Sequence, residues 1–87
     1  MTDIQLLREQ IEEINLQILH LLNKRTGIVL QIRDKKVCSG IPLFDPQRES
    51  EMIKKLQDAN PGPLPNDMIQ NIFQEILQNS RDCMKSE

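Results

Sequence analysis

The sequence contains no tryptophan, no tyrosine and only two phenylalanines. A protein that binds nucleic acid usually offers aromatic rings on which bases stack and a stripe of basic side chains that follows the phosphates. Here the lysines and arginines are scattered along the chain, and the formal net charge is −2. These observations argue against a nucleic-acid partner and require a core built from aliphatic side chains and methionine.

Long hydrophobic runs are also missing. No apolar stretch approaches the roughly 20 residues that a helix needs to cross a bilayer. The N-terminal sequence Met1-Thr2-Asp3 lacks the charged and apolar regions of a signal peptide. We therefore expect no membrane association and a cytoplasmic location.

Metal ligands are few and widely separated. Cys38 and Cys83 are isolated from each other, and His20 is the only histidine. Structural zinc sites take four closely spaced Cys or His ligands. The sequence therefore predicts no metal site.

One long amphipathic helix dominates what is present. Apolar residues alternate at spacings of three and four, which is the pattern of a helix with a buried stripe. This predicts a helix from residue 4 to about residue 36. We call the following eight residues the apolar seam: Ile4, Leu7, Ile11, Ile14, Ile18, Leu21, Ile28 and Ile32.

Arg25 occupies the position in the apolar seam where the next aliphatic residue is expected. A guanidinium keeps its charge and is costly to bury unpaired. No acidic residue lies one turn away, at positions 21, 22, 28 or 29, where it could pair along the helix. Either a carboxylate from elsewhere in the protein or an anionic ligand must therefore meet Arg25.

Two further helices follow. Asp45 and Pro46 read as an N-cap and a first helical residue, and the second helix should stop before the turn sequence Asn60–Pro63. A third helix should begin near Pro65 or Asn66. We predict that residues 1–87 form a single all-α domain of three helices.

The first helix is too long for a compact monomer. A globule of this length has an expected radius of gyration of about 12 Å, so much of the apolar seam would face water. A two-fold partner can cover identical stripes, and uncovered stripes of this size promote association. We therefore predict an intertwined, antiparallel homodimer.

Three cations could converge in such a dimer. Arg8 and Lys36 flank the apolar seam but are 28 residues apart, about 42 Å along one helix. If two copies cross near Leu22, Arg8 of the partner subunit comes close to Lys36, and Arg25 lies three turns before Lys36 on nearly the same face. Such a pocket suits a small dianion. The alternative is that Arg8 and Lys36 are solvated charges that only tune the dimer.

Four segments give the sequence a family resemblance. It resembles the AroQ class of chorismate mutases, and most of all the mutase domains fused to the N-terminus of a DAHP synthase in some Gram-positive bacteria. The ordered spacing of these segments, more than any one of them, carries the likeness: Leu7-Arg8-Glu9, Asn23-Lys24-Arg25, Asp34-Lys35-Lys36 and Phe44-Asp45-Pro46-Gln47-Arg48-Glu49.

The resemblance implies an enzyme that converts chorismate to prephenate by a Claisen rearrangement, the branch step toward phenylalanine and tyrosine. It also implies intertwined three-helix dimers with shared active sites, no cofactor, and a fused or associated DAHP synthase as a possible partner. Catalysis of this kind uses no nucleophile or proton relay; it requires the substrate to be held folded and its charge stabilised.

The resemblance also assigns roles to individual residues. Arg8 of the partner subunit and Arg25 would bind the two substrate carboxylates, and Lys36 would hydrogen-bond the ether oxygen. The remaining matched positions would contact the substrate hydroxyl (Asp45, Glu49), support the site (Arg48) or contact a carboxylate (Ser80).

One position departs from the family pattern. The family usually has Gln or Glu four residues after Ser80, to share the ether oxygen with the lysine, but this sequence has Met84. Either Lys36 acts alone, or a nearby group such as Lys85 substitutes, or activity is reduced. Three alternatives to the mutase therefore stay open: an isochorismate-pyruvate lyase of the same fold, a non-catalytic domain that senses chorismate or prephenate, and a plain helical dimerisation domain.

Overall fold

Three helices make up the described structure. The computed structural model describes residues 3–40 and 44–85, with the backbone alone for residues 37–39. The helices are α1 (Asp3–Ser39), α2 (Pro46–Ala59) and α3 (Asn66–Lys85), and these ranges contain no strand. The prediction of an all-α chain with one long N-terminal helix is confirmed.

Helix α1 continues three residues beyond the predicted end. It begins at Asp3 and ends at Ser39, and the following Gly40 has a φ of +75°. This left-handed conformation, which glycine adopts without strain, commonly terminates a helix. Thr2, Ile41 and Pro42 lie outside the described residues.

The start of α2 follows the sequence prediction. Asp45 is the N-cap, and its carboxylate accepts a hydrogen bond from the backbone N–H of Arg48 at 3.1 Å. Pro46 occupies the first turn, where its missing N–H costs nothing. A cap of this kind stabilises a helix by about 1 kcal/mol.

The turn between α2 and α3 is organised by one side chain. The Asn60 amide donates to the Leu64 carbonyl oxygen at 2.6 Å and to Asn66 Oδ1 at 2.8 Å. Its own oxygen accepts from the backbone N–H of Gly62 at 3.0 Å. These bonds return the chain so that α3 packs against α2.

Helix α3 is the centre of the packing, since it contacts both α1 and α2. Leu77 on α3 is the one buried residue among those whose burial is described. The first half of α1 is open to solvent: every residue from 3 to 24 is exposed, and the partly buried α1 residues begin at Arg25. No described helix is long and apolar enough to span a membrane.

The apolar seam is therefore uncovered within one chain. Its eight residues keep 42–61% of their surface exposed, and the radius of gyration is 16.3 Å, well above the roughly 12 Å of a compact globule. The longest dimension of the molecule, 57 Å, corresponds to the length of α1. The prediction that α1 is too long for a compact monomer, which leaves much of the apolar seam facing water, is confirmed.

Candidate functional site

A cavity of about 250 Å³ lies where the three helices meet. Pockets for drug-sized ligands usually measure roughly 300–1,000 Å³, so this one suits a small molecule. Seven of the eight residues that the sequence nominated for the site line it: Arg25, Lys36, Asp45, Arg48, Glu49, Ser80 and Met84.

Arg8 is the eighth nominated residue, and it lies elsewhere. It is exposed on α1, 17 residues before Arg25 and hence about 25 Å away along the helix. Arg8 cannot reach the cavity of its own chain. Its placement in the cavity of a partner subunit stays a prediction.

Arg25 meets a hydroxyl group rather than a carboxylate. Its Nη1 donates to Ser80 Oγ on α3 at 2.5 Å, and the Ser80 hydroxyl donates to the Ile76 carbonyl oxygen at 2.9 Å. Within residues 3–40 and 44–85, no carboxylate forms an ion pair with Arg25. The positive charge of this half-buried side chain is therefore not neutralised by any carboxylate of the described residues.

Glu49 is paired with a side chain of α3. Arg48 and Glu49 are adjacent and opposite in charge, but they form no ion pair within residues 3–40 and 44–85. Glu49 Oε1 accepts instead from Arg81 Nη1 on α3. The reason is that α3 packs against α2 and carries Arg81 to the first turn of α2.

Arg81 is the charged cavity residue that the sequence did not nominate. It lines the cavity together with the nominated residues, and its guanidinium carbon lies 4.7 Å from the centroid of the Phe44 ring. The sequence did contain a signal for it. Arg81 follows Phe73 and Leu77 at intervals of four, so it is a charged residue on the apolar stripe of α3, just as Arg25 is on that of α1.

The charges of the cavity favour an anion. Four cations and two carboxylates line it, which gives a formal charge of +2. The cations are Arg25, Lys36, Arg48 and Arg81, and the carboxylates are Asp45 and Glu49. Apolar side chains complete the wall: Ile28, Val29, Ile32, Met52, Leu77 and Met84. This combination suits a small dianion with an apolar body.

No grouping of three or more His, Cys, Asp or Glu side chains that could hold a metal ion occurs in the described part of the chain.

Solved structures share this fold closely. A chorismate mutase from Thermus thermophilus superposes with a TM-score of 0.96 and 37% sequence identity, covering 99% of this chain and 98% of that one. A chorismate mutase from Helicobacter pylori, solved in complex with prephenate, gives a TM-score of 0.87 and 27% identity, covering 94% of this chain and 89% of that one.

A curated relative from Neisseria gonorrhoeae is a bifunctional chorismate mutase/prephenate dehydratase. It is 31% identical over 80 residues, which cover 92% of this chain but 21% of that protein. A second bifunctional relative, from Aquifex aeolicus, is also 31% identical, with 22% of its length covered. The chain thus spans about a fifth of the length of the curated relatives it matches.

A family model described as chorismate mutase type II matches residues 7–85, a range that includes every residue of the cavity wall and Arg8. Because this match extends over nearly the whole sequence, and the fold agrees with solved mutases along the full chain, the chain belongs to the chorismate mutase type II (AroQ) family.

Proposed function

We propose that this protein is a chorismate mutase that rearranges chorismate to prephenate in phenylalanine and tyrosine biosynthesis. One observation carries the proposal: a small cavity of formal charge +2 contains Arg25, which no described carboxylate neutralises. Chorismate is a dianion with an apolar ring, so it complements that cavity in charge and in surface. The Helicobacter pylori relative, whose complex contains the reaction product prephenate, supports the same substrate class.

The reaction needs the substrate to be folded and its charge stabilised. In the rearrangement the ether C–O bond breaks while a C–C bond forms, and no proton moves. The enzyme holds the enolpyruvyl side chain over the ring. The entropy that the free molecule would lose in reaching this conformation therefore no longer contributes to the activation barrier. Fixed positive charge beside the ether oxygen stabilises the negative charge that develops as the C–O bond breaks.

Within this proposal, each cavity residue that the sequence nominated has a role. Lys36 donates to the ether oxygen, and Arg25 binds one substrate carboxylate in an orientation that Ser80 fixes. Asp45 and Glu49 accept from the ring hydroxyl, and Arg48 adds positive charge. Met84 contributes apolar contact but no hydrogen-bond donor, so the ether oxygen depends on Lys36.

The proposal includes an antiparallel homodimer of one domain, residues 1–87, in which Arg8 of the partner subunit binds the second carboxylate. Two features support this assembly: the apolar seam is exposed along the whole of α1, and every α1 residue from 3 to 24 is exposed in the single chain. A second copy packed against α1 would cover the apolar seam and the exposed first half of the helix.

We also propose, from the sequence resemblance alone, that the chain works with a DAHP synthase, fused or associated. The curated relatives above carry their mutase with a prephenate dehydratase instead. The test is to titrate a DAHP synthase from the same organism into the mutase assay and to measure co-elution. Co-elution or an increase in kcat/KM would support the partnership. The absence of both effects would contradict it.

The decisive experiment for the function is an assay of purified protein with chorismate. Loss of chorismate absorbance with stoichiometric appearance of prephenate is the expected result. Isochorismate should be tested in parallel, because conversion to salicylate and pyruvate would identify the lyase instead. Binding of chorismate without turnover would identify a sensing domain, and absence of binding would leave a dimerisation domain.

A further inference from the structure

Arg81 has three partners around its guanidinium group. Nη1 donates to Glu49 Oε1, Nη2 donates to Gln78 Oε1 at 2.7 Å, and the guanidinium carbon lies 4.7 Å from the Phe44 ring centroid. Contacts from α2, from α3 and from the residue just before the Asp45 cap therefore restrict Arg81 on several sides. The proposed reaction so far gives Arg81 no task.

Low exposure distinguishes the Arg81–Glu49 pair from other ion pairs in the chain. Its side chains are 21% and 22% exposed, whereas those of Lys54 and Asp58 are 76% and 67% exposed at 3.7 Å. Exposed pairs are screened and contribute little. A pair largely removed from water is screened less and holds its geometry more tightly, particularly when a guanidinium provides the donors.

The pair leaves one oxygen of Glu49 available. Oε1 is engaged by Arg81, whereas Oε2 has no hydrogen-bond partner among the residues that the structure describes. Glu49 lines the cavity, and an ionised carboxylate can only accept hydrogen bonds. A ligand hydroxyl is the matching donor.

We infer that Arg81 is a positioning residue: it fixes the Glu49 carboxylate in the cavity wall so that Oε2 receives the hydroxyl of the substrate. The inference rests on the proposed function, since it concerns how the same cavity selects a hydroxylated dianion. Arg81 acts through Glu49, because its Nη1 donates to Glu49 Oε1 while Nη2 donates to Gln78 Oε1, which anchors the guanidinium on α3. Substitution of Arg81 therefore leaves the Glu49 carboxylate in place but no longer fixes its orientation.

A double-mutant cycle with Arg81→Met and Glu49→Gln tests this inference. Each single substitution should lower kcat/KM for chorismate by about tenfold, the order expected for one hydrogen bond to a charged group. The double variant should be no worse than Glu49→Gln alone, because the carboxylate that Arg81 positions is then already absent. Multiplication of the two losses, or no loss in Arg81→Met, would overturn the inference.

Two additional variants separate positioning from folding. Arg81→Lys keeps the charge and should recover part of the activity lost in Arg81→Met, but only while Glu49 is present. If Arg81→Met does not fold, Arg81→Lys measured with and without Glu49→Gln completes the cycle. Lys54→Met, which breaks an exposed ion pair away from the cavity, is the matched control and should leave kcat/KM unchanged.

Unfolding measurements keep this inference distinct from the proposed function. If the wild-type protein does not rearrange chorismate, the proposed function fails. The Arg81–Glu49 coupling can still be measured by urea unfolding of the four cycle variants at one protein concentration. Coupling between the two side chains in the free energy of unfolding is the expected result. Additive effects of the two substitutions would overturn the positioning role of Arg81, whatever the catalytic activity.

Discussion

Ser80 on α3 accepts a hydrogen bond from Arg25 on α1 while its own hydroxyl proton is donated to the Ile76 carbonyl oxygen one turn earlier. The second bond fixes the lone pairs of the hydroxyl, and the first fixes the guanidinium. The relationship connects two residues separated by 55 positions in sequence. It also holds a permanent cation on the cavity wall in one orientation without neutralising it.

Ser80→Ala should therefore weaken catalysis moderately. The variant keeps the Arg25 charge but loses the bond that orients it, so we expect kcat/KM for chorismate to fall about tenfold, the order of one hydrogen bond to a charged group. Steady-state kinetics provide the measurement. Asn79→Ala, a neighbouring substitution outside the cavity wall, is the control and should be neutral. A loss as large as that of Arg25→Ala would contradict a purely orienting role.

Lys36→Ala should remove most of the turnover and leave the fold intact. Lys36 lines the cavity, and a preorganised donor at a developing negative charge is typically worth about 10²- to 10³-fold in rate. The measurements are kcat and helical circular dichroism. Lys35→Ala removes the adjacent, exposed lysine and should change kcat little. Unchanged kcat in Lys36→Ala would refute the assignment of Lys36 to the ether oxygen.

Features that depend on local sequence were the ones that the sequence could predict. The Asp45 cap, Pro46 in the first turn of α2 and the turn at Asn60 are set by neighbouring residues, and the structure has them where expected. Arg25 was identified because a charge interrupts an apolar period. The Arg81–Glu49 pair was missed because it spans 32 positions and depends on how α2 and α3 pack, which no local pattern specifies.

Mixing two inactive variants should restore activity if active sites are shared. Arg8→Ala and Arg25→Ala each damage every site of a homodimer. A heterodimer of the two has one site with both arginines and one with neither. Random exchange in an equal mixture makes half of the dimers mixed, so about a quarter of the wild-type activity should return. The measurement is chorismate turnover before and after subunit exchange.

The recovered chorismate turnover has to be compared with the fraction of heterodimers that subunit exchange forms. Differently tagged chains co-purified from the mixture report whether heterodimers form. Heterodimers without recovered activity would mean that Arg8 and Arg25 do not serve the same pocket across the interface.

A charge in the middle of the apolar seam should dissociate the protein. Leu21 is 61% exposed in the single chain, and burying a glutamate there against a second copy would place an unpaired charge in an apolar interface. We expect Leu21→Glu to be monomeric by sedimentation and to lose chorismate turnover. Leu16→Glu makes the same change outside the apolar seam, about 140° around α1 from Leu21, and should remain dimeric. A monomeric wild-type protein would contradict the assembly.

Met84→Gln should raise activity. Met84 lines the cavity at the position where the AroQ resemblance expects a Gln or Glu, and its thioether is a weak acceptor with no donor. An amide N–H donor there could join Lys36 at the ether oxygen, so we expect kcat to increase about tenfold with little change in KM. Met84→Leu conserves volume without adding a donor and should match the wild type. If Met84→Gln folds and its kcat does not increase, Lys36 alone donates to the ether oxygen. Position 84 on α3 then contributes only apolar packing to the cavity wall.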